Sequence, residues 1–154
     1  MRLSEYLRED LMLHGLKAGD RSQALRAFAE FLADGGFVSS GEEVFQSLSA
    51  REESHTTALG DGVALPHAVL PKIQERVFLV ASASKPLPYG PEAGDLVDIF
   101  FILLSPPGRE GEHIKLLARI CRLVRQPGFL EAMRAAPDAA ELYRTVLDED
   151  ARHV

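Results

Sequence analysis

Apolar residues recur along this chain with two different periods. Leu25, Phe28 and Leu32 recur at helical spacing behind a cap that either Asp20 or Ser22 can supply, and Gly35-Gly36 closes that run. Ser40-Gly41-Glu42-Glu43 has the order of a capping box, and Val44, Phe45 and Leu48 supply the next buried stripe, ending near Arg51. Ahead of these, Ser4 is positioned to cap a first helix through about Leu13, with His14-Gly15 as its stop. Val63-Ala64-Leu65 reads as a short buried strand that Pro66 terminates, and Val77 to Ala83 as a second strand. Lys85 to Asp95 reads as a loop. Leu96 to Leu104 is a near-continuous apolar run, as expected of a strand covered on both faces, and Pro106-Pro107-Gly108 breaks it. A helix is expected from about Glu110 to Arg125 with Ile114, Leu117, Cys121 and Val124 on one face. Two closing helices, Phe129 to Ala135 and Ala139 to Leu147, flank Pro137-Asp138 at a cap.

Helices alternating with buried strands predict an α/β fold, a three-layer sandwich with a central mixed sheet flanked by helices. The pattern leaves the strand order open. At 154 residues, with no linker or repeat, one domain spanning 1–154 is expected.

Composition narrows the function. The net charge of −6 argues against a nucleic-acid binder, and no apolar run has the length of a membrane span. The amphipathic start MRLSEYLRED is unlike a signal peptide, and the lone Cys121, on an apolar stripe, reads as core. A cytoplasmic protein without disulfides is expected.

Chemistry concentrates in REESHTTALGDGVALPHAVL, residues 51–70. Gly60-Asp61-Gly62 can adopt backbone conformations closed to bulkier residues, so its N–H groups can converge on an anion. No Lys-Ser/Thr follows, which excludes a nucleotide P-loop, and the scattered histidines do not make a zinc signature. His67 fits two readings: a half-buried ring bonded to the backbone, or a nucleophile whose neutral form is abundant at neutral pH. His113, in the first turn of the helix after the glycine-rich break, shares an edge with Leu116, Leu117 and Ile120; it is either a boundary residue or the second half of an anion site. Arg51 can fork onto phosphoryl oxygens or pair with a helix-end carboxylate, and Thr56 and Thr57 can donate to an anion or stabilise the loop. His14, His55 and His153 carry no assigned role.

Together Arg51-Glu52, Thr57, Gly60-Asp61-Gly62, Ala64-Leu65-Pro66-His67 and the run LVDIFFILLSPPGREGEHIKLLARI resemble the enzyme IIA domain of the fructose/mannitol and nitrogen-regulatory type, from the phosphoenolpyruvate-dependent sugar phosphotransferase system. The resemblance covers nearly the whole chain. It implies that His67 accepts a phosphoryl group from an HPr-type phosphocarrier and passes it to a IIB partner, with His113 and Arg51 holding the group and Thr57, Gly60 and Gly62 supporting the loop. No cofactor, metal or nucleotide is implied. Ala58, where the family often has glycine, and Val69-Leu70, where the continuation is commonly more polar, depart from the pattern. Val69-Leu70 is a candidate docking patch. The sequence ends at Val154 with no attached IIB or membrane segment, which leans toward the regulatory branch, whose targets are a kinase or a potassium transporter. The alternatives are a sugar-transport IIA component and a binding protein that is not phosphorylated.

Overall fold

In the computed structural model, which describes residues 2–92 and 95–153, two short 3-10 turns, Leu3–Glu5 and Glu9–Leu11, lead into strand β1 (Met12–Leu16). Helices α1 (Arg21–Asp34) and α2 (Gly41–Ser54) follow. Next come three short strands, β2 (Ala58–Gly60), β3 (Val63–Ala64) and β4 (His67–Val69), and two long ones, β5 (Val77–Pro88) and β6 (Leu96–Ser105). Helices α3 (Glu110–Val124), α4 (Phe129–Ala135) and α5 (Ala139–Arg152) close the chain. Asp20, Ser40 and Asp138 each accept a backbone N–H three residues on, so the caps legible in the sequence start α1, α2 and α5. Only half of the expected capping box forms: Ser40 Oγ accepts from Glu43 N, while the Glu43 carboxylate lies 3.8 Å from Lys72 Nζ.

The sheet is mixed, in the order β1-β5-β6-β3-β2, with β4 also pairing β6. β1 is parallel to β5, β5 antiparallel to β6, and β3 and β4 both parallel to β6. Side chains alternate across a strand, so β6 sends Phe100, Ile102 and Leu104 to one face and Ile99, Phe101 and Leu103 to the other. The first set packs with Leu25, Phe28 and Leu48 of α1 and α2; the second packs with Leu116, Ile120, Met133 and Val146 of α3, α4 and α5. This is the expected three-layer sandwich, with the hydrophobic run Leu96–Leu104 at its centre.

Four expectations need correction. The first helix does not form. Leu3, Leu7 and Leu11 are buried at spacing that mimics a helix, but Leu3 and Leu11 sit in two separate 3-10 turns with Leu7 in the link between them, and His14 and Gly15 lie inside β1. β3 ends at Ala64, ahead of Pro66, but Pro66 does not stop the ladder: pairing with β6 resumes at His67. β5 continues through Lys85 to Pro88 after a register shift between Ser82 and Leu87, a bulge that lets a proline-containing segment stay paired; of the expected loop, Ala93 and Gly94 lie outside the described residues. The buried face of α3 is rotated by about one residue: it carries His113, Leu116, Arg119, Ile120 and Leu123, whereas Ile114 is 65% exposed and Leu117, Cys121 and Val124 only border the core.

That face carries one buried ion pair. Arg119 Nε and Nη2 donate to Asp150 Oδ1 at 3.0 and 2.8 Å, and the Asp150 carboxylate also accepts from Leu3 N and Ser4 N, each at 3.0 Å. The pair ties α3 to α5 and to the N-terminal turn. Asp150→Ala leaves the Arg119 guanidinium buried without its partner and is expected to lower unfolding free energy by about 3–5 kcal/mol in denaturant titration. A loss below about 1 kcal/mol would show that water reaches this pair freely.

Candidate functional site

Residues 63–69 run beside β6 in one register. Val63 lies opposite Ile99, Ala64 opposite Phe100, His67 opposite Leu103 and Val69 opposite Ser105. Pro66 removes one N–H from this ladder, but its carbonyl still accepts from Leu103 N at 2.9 Å, so the strand keeps its course. Strand alternation puts His67 on the same face as Val63 and Leu65, the face covered by α3.

The Nδ1 atom of His67 is 2.7 Å from the Leu65 carbonyl oxygen. A carbonyl can only accept, so Nδ1 carries the proton and Nε2 keeps its lone pair. Burial lowers the pKa of this half-buried ring below its ordinary value; the Arg51 charge pushes the same way, against the Leu65 hydrogen bond and Glu52. The ring is therefore neutral, with a free nucleophilic nitrogen, at neutral pH.

His113 is the fourth residue of α3 and lies on its buried face. Its ring centre is 5.2 Å from that of His67, with the planes tilted by 55°. Nδ1 of His113 lies 2.7 Å from Ser105 Oγ. Burial first, then His67, Arg76 and Arg51, lower its pKa to about 4. Its own N–H bonds the Arg109 carbonyl, while the N–H groups of the first turn of α3 have no partner within the helix, a setting that favours an anion over an imidazolium.

Arg51 emerges from the last turn of α2, as its sequence position predicts. Nη1 donates to the His55 carbonyl at 2.9 Å, and among the described residues no carboxylate pairs with it. Its charge acts on both rings, so Arg51 lies within electrostatic reach of His67 and His113. Next to it, the buried Glu52 carboxylate accepts from Thr57 N at 3.0 Å, from the Thr57 hydroxyl and from Tyr89 Oη at 2.8 Å. Burial and the Glu52 charge push the Tyr89 phenol above its ordinary range. Thr57 is thus a strut of the loop, not a donor toward His67, and Thr56 Oγ1 accepts from Ala58 N. This network fixes where α2 hands over to β2, and with it the base of Arg51.

The glycine turn lies elsewhere. Asp61 and Gly62 both have positive φ, 55° and 80°, the geometry of a two-residue hairpin between β2 and β3. The turn enters the sheet at Ile99, four residues along β6 from the partner of His67, about 13 Å away. The Gly62 carbonyl accepts from Asp98 N and Ile99 N, Arg134 holds the Asp61 carbonyl, and a Cβ on Gly62 would meet the Arg134 guanidinium at 2.5 Å. Gly60 and Gly62 shape the hairpin that delivers the strand; they are not an anion cradle at His67.

The remaining histidines stand apart: His14 Nε2 bonds the Ala136 carbonyl, His55 is exposed beside Ser54, and His153 meets Glu149. The expected docking pair divides, because Val69 is 44% exposed and Leu70 is buried. Ser105, Arg76 and Tyr89 were not identified from the sequence. A signal for Ser105 exists there: it is the polar end of an apolar strand, directly before the loop that delivers His113. Among the described residues no cluster of three or more His, Cys, Asp or Glu is arranged to hold a metal ion.

Comparison with known proteins identifies the family. Residues 5–149 match the family model described as phosphoenolpyruvate-dependent sugar phosphotransferase system, EIIA 2. A nitrogen regulatory protein of Bradyrhizobium diazoefficiens is 36% identical over 144 residues, covering 93% of each chain. The crystal structure of nitrogen regulatory protein IIA-Ntr from Neisseria meningitidis superposes with a TM-score of 0.82 at 25% identity, over 94% of this chain and 98% of that one. The mannitol enzyme IIA of Escherichia coli, solved in complex with phosphorylated mannitol enzyme IIB, shares the fold with a TM-score of 0.77 at 19% identity, over 92% and 97% of the two chains. The chain belongs to the EIIA type 2 family of the phosphoenolpyruvate-dependent sugar phosphotransferase system.

Proposed function

We propose that this protein is a phosphohistidine carrier of the nitrogen-regulatory kind, accepting a phosphoryl group on Nε2 of His67 from an HPr-type phosphocarrier. The group then passes to a IIB-type partner or acts as a signal that selects a regulated kinase or transporter. The observation that carries this reading is the free Nε2 of a neutral, half-exposed His67, with a second imidazole 5.2 Å away and an arginine in range of both. The nitrogen-regulatory choice is supported by the 36% identical relative, which is named a nitrogen regulatory protein. Among the described residues no helix is long and apolar enough to cross a membrane.

Transfer needs only positioning and charge stabilisation. The donor's N–P bond breaks and leaves its electron pair on the donor ring. The Nε2 lone pair of His67 forms the new N–P bond. The Nδ1 proton stays in its bond to Leu65, where the carbonyl stabilises the positive charge gained by the ring. Arg51 and His113 face the transferring oxygens. Docking of the donor uses the exposed apolar residues beside each histidine, Val69 and Ile114. The added negative charge changes which partner that surface accepts.

His67→Ala should abolish labelling by phosphoenolpyruvate, enzyme I and HPr; undiminished label in that variant overturns the carrier assignment. His113→Ala should retain only part of its labelling, at least about tenfold slower than wild type, and onward transfer should slow by about a hundredfold, the scale for losing one aligned donor. Unchanged kinetics would remove His113 from the site. A panel of acceptors separates the readings: transfer to a sugar-specific IIB protein supports transport, phosphorylation-dependent capture of a kinase or potassium transporter supports regulation, and an unlabelled wild type leaves a pure binding protein. Because burial disfavours the charged ring, proton titration followed by NMR should place the His67 midpoint below the ordinary 6.5 and the His113 midpoint near 4. A midpoint above 7 for either ring contradicts the burial argument.

A further inference from the structure

Arg76 precedes β5, and its side chain is only 2% exposed. A guanidinium removed from water this completely is costly unless its donors are well used. Its Nε donates to Ser105 Oγ at 3.0 Å, whereas Nη1 to Glu112 and Nη2 to the Arg109 carbonyl are each 3.5 Å, at the outer limit of a hydrogen bond. The pairing of Val77 with Leu104 places Arg76 opposite Ser105 one step further along the ladder. Ser105 is itself 1% exposed, and its Oγ is 2.7 Å from His113 Nδ1. Three buried polar groups thus form a line that ends at the ring facing His67.

Donor and acceptor rules give this line a direction. An arginine Nε–H can only donate, so it occupies one lone pair of Ser105 Oγ. Among the described residues, His113 Nδ1 is the other partner of that oxygen, and so the place for the hydroxyl proton. A serine that accepted from both sides would leave its own proton unbonded in a buried position, which is unfavourable. With the Ser105 hydroxyl donating to Nδ1, the His113 proton sits on Nε2. We propose that Arg76 and Ser105 are positioning residues that fix His113 as an Nε2–H donor, ready to hydrogen-bond an oxygen of the phosphoryl group carried by His67. This rests on the reading of His67 as the carrier.

The two rings are then backed in opposite senses. A carbonyl behind His67 puts its proton inward and its lone pair outward. A hydroxyl aligned by a cation behind His113 puts a lone pair inward and the proton outward. The pair matches a group bonded to one ring and hydrogen-bonded by the other. The Arg76 charge also helps keep His113 uncharged, so the donor is a neutral N–H.

The test uses the full chain, isotope-labelled, with imidazole nitrogen correlation spectra and phosphoramidate as a small donor that needs no protein docking. The Nε2–H form of His113 is expected in the wild type and in Ser105→Thr, and a mixture of tautomers in Ser105→Ala, with His67 remaining Nδ1–H throughout. Labelling of His67 should fall about tenfold in Ser105→Ala and return to within about twofold in Ser105→Thr, on the scale of losing a residue that orients a functional histidine. An Nδ1–H form of His113 in the wild type overturns the proposal, whatever the variants do. Equal labelling of Ser105→Ala and wild type also overturns it, while leaving the carrier reading standing. A wild type that takes no label refutes the carrier reading instead, and the tautomer spectra remain a separate result.

Discussion

The register between residues 63–69 and β6 is the constraint on which the site depends. Side chains on a strand alternate with a period of two, so a slip of one residue would turn His67 away from α3 and into the layer of α1 and α2. The slip is prevented by the core itself. Val63 and Leu65 belong to one cluster and Ala64, Ala68 and Leu70 to the other, and exchanging them would force large side chains against the wrong layer. Pro66, in the middle of this segment, costs one hydrogen bond without costing the register, because its carbonyl still holds Leu103 N. The hairpin at Asp61-Gly62 and its Arg134 contact set where the segment begins.

Given that placement, the chemistry follows from desolvation and from what stands behind each ring. Both imidazoles are pushed toward neutrality by burial, and the cations around them reinforce that direction. A neutral pair is suited to moving an anion, since neither ring must shed a proton before the group arrives. Arg51 contributes a permanent charge whose base is held by its helix and by the Glu52, Thr57 and Tyr89 network. The acidic Glu52 buried next to Arg51 does not neutralise it; its carboxylate is occupied by the loop and by Tyr89.

Some of this was legible before folding and some was not, for identifiable reasons. The caps at Asp20, Ser40 and Asp138 and the apolar strand Leu96–Leu104 depend on neighbours in sequence, and they form where expected, with β6 running one residue further. The N-terminal segment misleads because Leu3, Leu7 and Leu11 satisfy a helical period while two 3-10 turns and the link between them do the burying. The face of α3 misleads because Arg119 reads as polar, yet Asp150, at the far end of the chain, makes its burial possible. The glycine turn looked like a phosphate cradle because glycine tolerates the backbone of a cradle and of a hairpin equally.

What the sequence determined by itself is local: which segments alternate, where helices start, and that two histidines and an arginine occur in settings suited to an anion. Those properties arise from backbone preferences and from residues within a turn or two of one another. That Ser105 stands between Arg76 and His113, that Thr57 turns inward to Glu52, and that His67 and His113 face one another were decided only by the tertiary structure. Each depends on strand order and on the rotation of a helix about its axis, and both are set by how the two core layers fill around β6.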